Sequence, residues 1–481
     1  MTSSRLYSRT VTEARIPPER RIYVNRNLRM DSIRAIGFDL DHTLAHYRGP
    51  AVEELAYRLT QVRLVERFGY PAALLEVPYE REFVIRGLVV DKRRGHLLKM
   101  DYHNYVARAY HGRRLLSTEE RKAAYRTGRV RTGSDGYVSV DTLFHFPEVF
   151  LFATLVGMRE DKRVKRSIGC RKIYSDVREA IDSVHGDGTL KAEILGNLDR
   201  YIRKDQRLGR TLEVFRGAGK KIFLLTNSEY YYSAALLGHL LGNGTDWTAF
   251  FDLIVVDAGK PAYFADLERL PSEPREGDPE GVMHGGNARL LEKTLGFAGD
   301  QIIYFGDHTY GDILRSKKTL GWRTAMVVEE LEEELAVTRR LQPQLEELNH
   351  WTALRGVLEA DLSEIRRRQL QLERRGQAPA GNASERGDHR RQLDILNDRA
   401  DELDAEIANV HAMAKELGDA VYRTYNPYWG SLFREGRETS RFGHQVKDFA
   451  CLYMTRVSNL LNYHPQHYFR SAEERMPHEL G

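Results

Sequence analysis

Two aspartates stand two residues apart in 38-FDLDHTLAHY-47, directly after the apolar run 33-IRAIGF-38. Three further polar groups follow apolar runs in the same manner. Thr226, Asn227 and Ser228 end 222-IFLLTNS-228, Lys260 ends 251-FDLIVVDAGK-260, and Asp307 and Asp312 lie in 302-IIYFGDHTYGD-312. Together with Asp39 and Asp41 this makes four carboxylates, an ammonium and a hydroxyl. Phosphoryl transfer asks for these parts. An oxygen-rich pocket selects Mg²⁺, and a cation and a lysine neutralise phosphate oxygens. One carboxylate can attack phosphorus, and a second can protonate the leaving oxygen and then activate water. Each piece alone has a plainer reading: a capping loop, a turn, a helix start.

What unites the pieces is where the elements put them. Residues 222–228, 251–260, 302–312 and 322–328 read as buried strands, like residues 33–38, and 208–221 reads as an amphipathic helix between them. Alternating strands and helices predict a parallel sheet with right-handed crossovers. Ligands of such sheets bind at the carboxyl ends of the strands, and every polar cluster falls there. Residues 51–69 have helical spacing, and 83–101 alternate about Arg94-Gly95 as a β-hairpin would.

The chain has 481 residues, 41% apolar and 30% charged, with 73 basic and 69 acidic side chains for a net charge of +4. That length predicts several domains or one large α/β core with insertions. The weak net charge gives no basic stripe for nucleic acid, and runs such as 162-KRVKR-166 read as solvated faces. Two cysteines, Cys170 and Cys451, exclude a disulfide framework and fit a reducing cytoplasm. No apolar run is long enough for a membrane helix. The expected organisation is a mobile tail over 1–21, a core of 22–50 and 208–328, and a cap over 51–207. A charged helical hairpin over 329–425 and an aromatic-rich segment over 426–481 follow. The hairpin reads equally as an interaction arm or as a layer on the sheet.

FDLDHTLA, LLTNS, DAGKP and YFGDHTYGDIL resemble the four motifs of haloacid dehalogenase-like (HAD) hydrolases. The longer runs 24-VNRNLRMDSIRAIGFDLDHTLAHY-47, 85-IRGLVVD-91, 142-TLFHFPE-148, 304-YFGDHTYGDILRSKKTLGWRT-324, 430-GSLFREG-436 and 459-NLLNYHP-465 are similar to cytosolic purine 5′-nucleotidases of the IMP/GMP-selective type. The likeness spans about residues 22–475. It implies a HAD-like Rossmannoid parallel sheet with an inserted mixed α/β cap and a helical C-terminal extension. By resemblance Asp39 is the nucleophile, Asp41 the acid–base and Lys260 the balancing charge. Thr226, Asn227 and Ser228 bind phosphate. Mg²⁺ is held by Asp39, the Asp41 carbonyl and Asp307, with Asp312 supporting.

The same resemblance puts base recognition on Phe144, Arg178, Asp182, His185 and Lys191. A carboxylate accepts from N1–H of guanine or hypoxanthine, arginine donates to O6 and N7, and adenine lacks the N1–H. Arg178 and Asp182 are also spaced as an ordinary i,i+4 ion pair. Gly186 stands where relatives carry tyrosine, and Arg131 and Asp141 stand where an effector-binding Arg/Asn pair is usual, the aspartate implying weaker or absent activation by ATP-type effectors. The likeness implies a homo-oligomer, a tetramer or a dimer, through the segment holding His444, Phe449 and Tyr453. Two other readings stay open: a HAD phosphatase for another phosphomonoester, and an interaction scaffold with a vestigial site.

Overall fold

A computed structural model describes residues 16–126, 130–242, 246–376 and 383–472. Residues 1–15 of the expected tail and the hairpin tip at 377–382 lie outside the described residues. The chain forms two compact units, one of residues 1–335 with 432–481 and one of residues 336–431.

The strands of the two larger sheets of the first unit are, in chain order, β1 (Tyr23–Val24), β2 (Ala35–Phe38), β3 (Val89–Asp91), β4 (His96–Met100), β5 (Val106–His111), β6 (Arg114–Leu115) and β7 (Tyr137–Ser139). They continue with β8 (Lys221–Leu225), β9 (Leu253–Val256), β10 (Val282–His284), β11 (Ile302–Gly306), β12 (Arg323–Val327) and β13 (Leu452–Met454). Its principal helices are α1 (Gly49–Phe68), α2 (His145–Glu160), α3 (Cys170–Gly186), α4 (Leu208–Gly217) and α5 (Tyr230–Leu241). The main sheet has the order β1-β13-β12-β11-β2-β8-β9-β10, parallel throughout except for the edge pair β1–β13. This is the α/β fold class expected from the sequence.

Both faces of the sheet are covered, so its central strands are largely apolar. Ile36, Phe38, Ile222, Leu224, Ile303 and Phe305 share one cluster with Leu212 of α4 and Leu236 of α5. Ala35, Phe223, Leu225, Ile302 and Tyr304 share the other with Phe264, Leu291 and Trp322. Gly37 is required at the centre: a Cβ there would lie 2.1 Å from the Phe223 ring of β8. β2 therefore packs closely on β8 just ahead of the Asp39 loop.

A second sheet, β6-β5-β4-β3-β7, is wholly antiparallel and contains the hairpin expected at 83–101. The aromatic-rich segment over 426–481, set apart from the 22–50 and 208–328 core in the sequence reading, contributes a strand to the main sheet. Its β13 enters the main sheet between β12 and β1, and Tyr453 stacks on Tyr23 at 5.1 Å. Three residues, Leu452–Met454, are too short a run to read as a strand by alternation.

The second unit consists mostly of two long helices, α6 (Gln342–Gly376) and α7 (Ala383–Tyr425). Leu354, Leu358, Leu362 and Ile365 pack on Ala400, Leu403, Ile407 and Val410. The hairpin was expected from residue 329, but Glu329 to Leu335 belong to the first unit. Their acidic, helix-like composition conceals that Glu329 and Glu330 have buried partners.

Candidate active site

The end of β2 fixes Asp39 by its backbone: its N–H donates to the Phe305 carbonyl of β11 (2.9 Å), and its Oδ1 accepts from Leu40 N–H (2.7 Å). Lys260 Nζ lies 2.9 Å from Asp39 Oδ1 and 2.7 Å from Asp312 Oδ1, with its side chain only 4% exposed. The same ammonium donates to Tyr304 Oη (2.9 Å), which donates in turn to the Leu225 carbonyl. Asp312 is folded back by a π-turn over Thr309–Leu314, with Asp312 N–H on the His308 carbonyl at 3.1 Å. That approach needs Gly306, where a Cβ would stand 2.6 Å from Asp312 Cβ.

Asp39, Asp307 and Asp312 each offer an oxygen, all within 4.8 Å of one another, and all three residues are buried. Burial raises Asp39 well above the usual carboxylate range, against the pull of Lys260. Burial likewise raises Asp307 to about 7, opposed by His42 and Arg86. Lys260 is raised, its desolvation outweighed by Asp312 and Asp39. Three crowded carboxylates with one ammonium leave negative charge to be balanced. The all-oxygen donor set fits a hard divalent cation.

Asp41 points elsewhere than the triad. Its Oδ1 accepts from Tyr47 Oη at 2.5 Å and its Oδ2 from Ser228 Oγ at 2.7 Å. Tyr47 Oη is also 2.9 Å from Tyr232 Oη of α5. Thr226 Oγ1 accepts from Ser228 N–H (3.1 Å), shaping the turn after β8. Asn227 brackets the backbone of Lys260, accepting from its N–H (2.7 Å) and donating to its carbonyl (3.1 Å). Asp39, Lys260 and Asp312 are thus joined by short contacts with Asp307 beside them, Asp41 and Ser228 form a separate pair, and Thr226 and Asn227 shape the loops after β8 and β9.

Of the expected base-binding residues, Phe144 packs against the first motif. Its ring is 4.7 Å from His42 and 5.8 Å from Tyr47, and His185 stands edge-on to it at 6.1 Å. Lys191 pairs with Glu229, next to Ser228, and lies 5.5 Å from the Tyr232 ring. Arg178 donates to the buried Glu148 (2.8 Å) as well as to Asp182. Arg178 and Asp182 line a groove of about 530 Å³ with Lys92, Asp135 and Tyr174, which none of the strand-end residues lines. Asp141 lies in the field of Arg441, a cation that the expectation of simple repulsion there did not include.

Sequence reasoning missed four groups. Arg86 is buried, donates to the Asp307 carbonyl (2.9 Å), and pairs through Nε and Nη2 with Glu330. Glu329 accepts from His42, and Tyr304 and Tyr47 serve Lys260 and Asp41. Tyr47 lies inside the first motif, six residues from Asp41. Tyr304 lies inside the fourth, three residues before Asp307, whereas Arg86 and Glu329 carry no spacing signal because their partners are distant in sequence.

The fold and this constellation define a phosphate-handling hydrolase of the α/β type. A sequence model of the 5′ nucleotidase family matches residues 22–481, and the chain belongs to that family. It is 30% identical, over 95% of its own length and 75% of the relative's, to a 5′-nucleotidase domain-containing protein of Dictyostelium discoideum. Among solved structures it is similar to the β-phosphoglucomutase of Pyrococcus sp. strain ST 04, at 12% identity and a TM-score of 0.30. That alignment covers 62% of this chain and 87% of the other. It is also similar to the HAD-hydrolase YfnB of Bacillus subtilis, a magnesium-bound structure, at 16% identity and a TM-score of 0.20, covering 61% and 88% of the two chains. Among the described residues no helix is long and apolar enough to cross a membrane.

Proposed function

We propose that the protein hydrolyses purine ribonucleoside 5′-monophosphates, IMP and GMP above others, in a reducing cytoplasm and as a homo-oligomer. The observation that carries the reading is the buried contact of Asp39, Lys260 and Asp312 beside an Asp41 whose two oxygens are each held by a hydroxyl. Mg²⁺ suits Asp39, Asp307 and Asp312, with the Asp41 carbonyl the expected fourth ligand. When bound it supplies charge neutralisation for the phosphate oxygens.

The chain's own groups account for the rest. A carboxylate oxygen of Asp39 attacks phosphorus, and the bond to O5′ breaks as Asp41 delivers a proton to that oxygen. Lys260 offsets the charge of the resulting aspartyl phosphate. Asp41, now ionised, takes a proton from water as the water oxygen bonds to phosphorus and the bond to Asp39 breaks. A nucleoside 5′-hydroxyl can replace that water, which makes phosphotransfer a companion activity. In this reading Thr226, Asn227 and Ser228, at the end of β8, bind the phosphate. Phe144 and His185 form an aromatic wall, and Arg178, Asp182 and Lys191 complete the base site.

Phosphate release from GMP, IMP, AMP and CMP, by wild type and Asp39→Asn with Mg²⁺, tests the reading. Rapid release from GMP and IMP, lost in the variant, is the expected result. Release from none by folded wild type moves the substrate to another phosphomonoester.

A further inference from the structure

Glu329 and Glu330 follow β12 after Val328, and each holds a different loop of the active site. Glu330 is tied through Arg86 to the Asp307 carbonyl. Glu329 serves the other loop. Its Oε1 accepts from His42 Nδ1 at 2.8 Å, and its Oε2 lies 3.3 Å from His46 Nδ1. The two histidine side chains are each 5% exposed and that of Glu329 is 13%.

His42 follows Asp41 directly, and its backbone is left-handed, with φ of 53°. Residues other than glycine seldom adopt that conformation, and something must hold it in place. Its N–H closes the turn onto the Ala45 carbonyl (2.9 Å), while Asp41 and Ala45 form a β-bridge. Its ring packs on Tyr47, at 4.9 Å between centroids, and Tyr47 is the residue whose hydroxyl grips Asp41. Glu329 therefore reaches Asp41 by two routes. One runs through the strained turn, the other through the His42 and Tyr47 rings.

We propose that Glu329 is a positioning residue for proton transfer: by fixing His42 it fixes the turn and the Tyr47 hydroxyl that aim Asp41 at the leaving oxygen. This rests on the acid–base assignment of Asp41 under the proposed function. A misaimed acid matters only when the leaving group needs a proton. The alkoxide of a nucleoside needs one, and the phenolate of p-nitrophenyl phosphate does not. Misplacement by about 1 Å costs on the order of 10²-fold in such a step.

The test compares kcat/KM for GMP and for p-nitrophenyl phosphate in wild type, Asp41→Asn, Glu329→Ala and Glu329→Gln. For GMP, Asp41→Asn should lose about 100-fold or more and Glu329→Ala about 30-fold, while both lose under about fivefold on the aryl ester. Glu329→Gln keeps an acceptor for His42 and should stay within about threefold of wild type on both. Should Glu329→Ala fail to fold, His42→Asn carries the same expectation, since asparagine tolerates the left-handed backbone but cannot reach Glu329. Equal losses on the two substrates, or none, in Glu329→Ala or His42→Asn would overturn the inference while a split in Asp41→Asn leaves the acid–base reading standing. No split in Asp41→Asn overturns both.

Discussion

The hydroxyl of Tyr47 donates to Asp41 Oδ1 at 2.5 Å, so the carboxylate expected to move the proton is held from within its own motif. Ser228 holds the other oxygen. Removing one donor from a charged acceptor costs about 1.5–3 kcal/mol. Tyr47→Phe is expected to lower kcat for GMP about tenfold or more with KM nearly unchanged. Steady-state kinetics on the purified variant check this, and an unchanged kcat would remove Tyr47 from the machinery.

Lys260 is the one ammonium between Asp39 and Asp312 among the described contacts. Lys260→Met leaves those buried carboxylates without their cation, a change that costs about 3–5 kcal/mol when a buried pair is broken. Thermal unfolding in a chelator should show a clear fall in Tm, and added Mg²⁺ should recover part of it. Phosphate release should drop by about 100-fold or more. A Tm equal to wild type in the chelator would contradict the buried pairing.

Much of this site was legible in the sequence because each group follows a short apolar run, and strand ends are where an α/β sheet exposes functional side chains. Asp39, Lys260, Asp307 and Asp312 were found that way, and the structure brings them together. The supporting groups were not legible. Arg86 and Glu330 are 244 residues apart and His42 and Glu329 are 287 apart, and nothing in local spacing announces such pairs. Glu329 was further disguised by the acidic helix that follows it. Leu452–Met454 was hidden for another reason: three residues give no periodicity, and membership of the sheet is decided by packing against β12 and β1.

Arg86 presents a third expectation. Its guanidinium is fully buried, spans Glu330 and the Asp307 carbonyl, and stands over the Phe442 ring at 5.1 Å. A planar fork of this kind is not replaced by an ammonium. Arg86→Lys should leave Asp307 less well oriented and weaken Mg²⁺ binding about tenfold or more. Titration calorimetry on the folded variant reads this without turnover, and wild-type affinity would show that Asp307 needs no such support.

The antiparallel sheet supplies a pH dependence. Burial, with His111 beside it, lowers His96 from 6.5 to about 4. Its Nδ1 lies 2.7 Å from Tyr125 Oη, which donates to Asp91. The unfolded chain binds a proton near pH 6.5 that the folded chain refuses until about pH 4. Stability from this group is therefore intact above the unfolded value and is lost as pH falls through that window. Denaturant midpoints from pH 7 to pH 4 should fall more steeply for wild type than for His96→Gln, and parallel curves would refute the assignment.

Arg178 is the sharpest test of base recognition, because it has two duties that predict different things. It neutralises Glu148, whose side chain is 2% exposed, and it forms an i,i+4 pair with Asp182. Arg178→Ala strands the Glu148 carboxylate, so a fall in stability of about 1–3 kcal/mol is expected whatever the substrate. A loss of activity alone would therefore prove nothing about the base. The ratio of kcat/KM for GMP to that for AMP is different, since partial unfolding scales both alike. If the guanidinium donates to O6 and N7, that ratio should collapse by about tenfold or more in Arg178→Ala. Glu148→Gln, which disturbs the buried pair but leaves the arginine, should hold most of it. A ratio that stays at its wild-type value in Arg178→Ala would return Arg178 and Asp182 to the status of a surface pair and leave Phe144 and His185 as the candidates for reading the base.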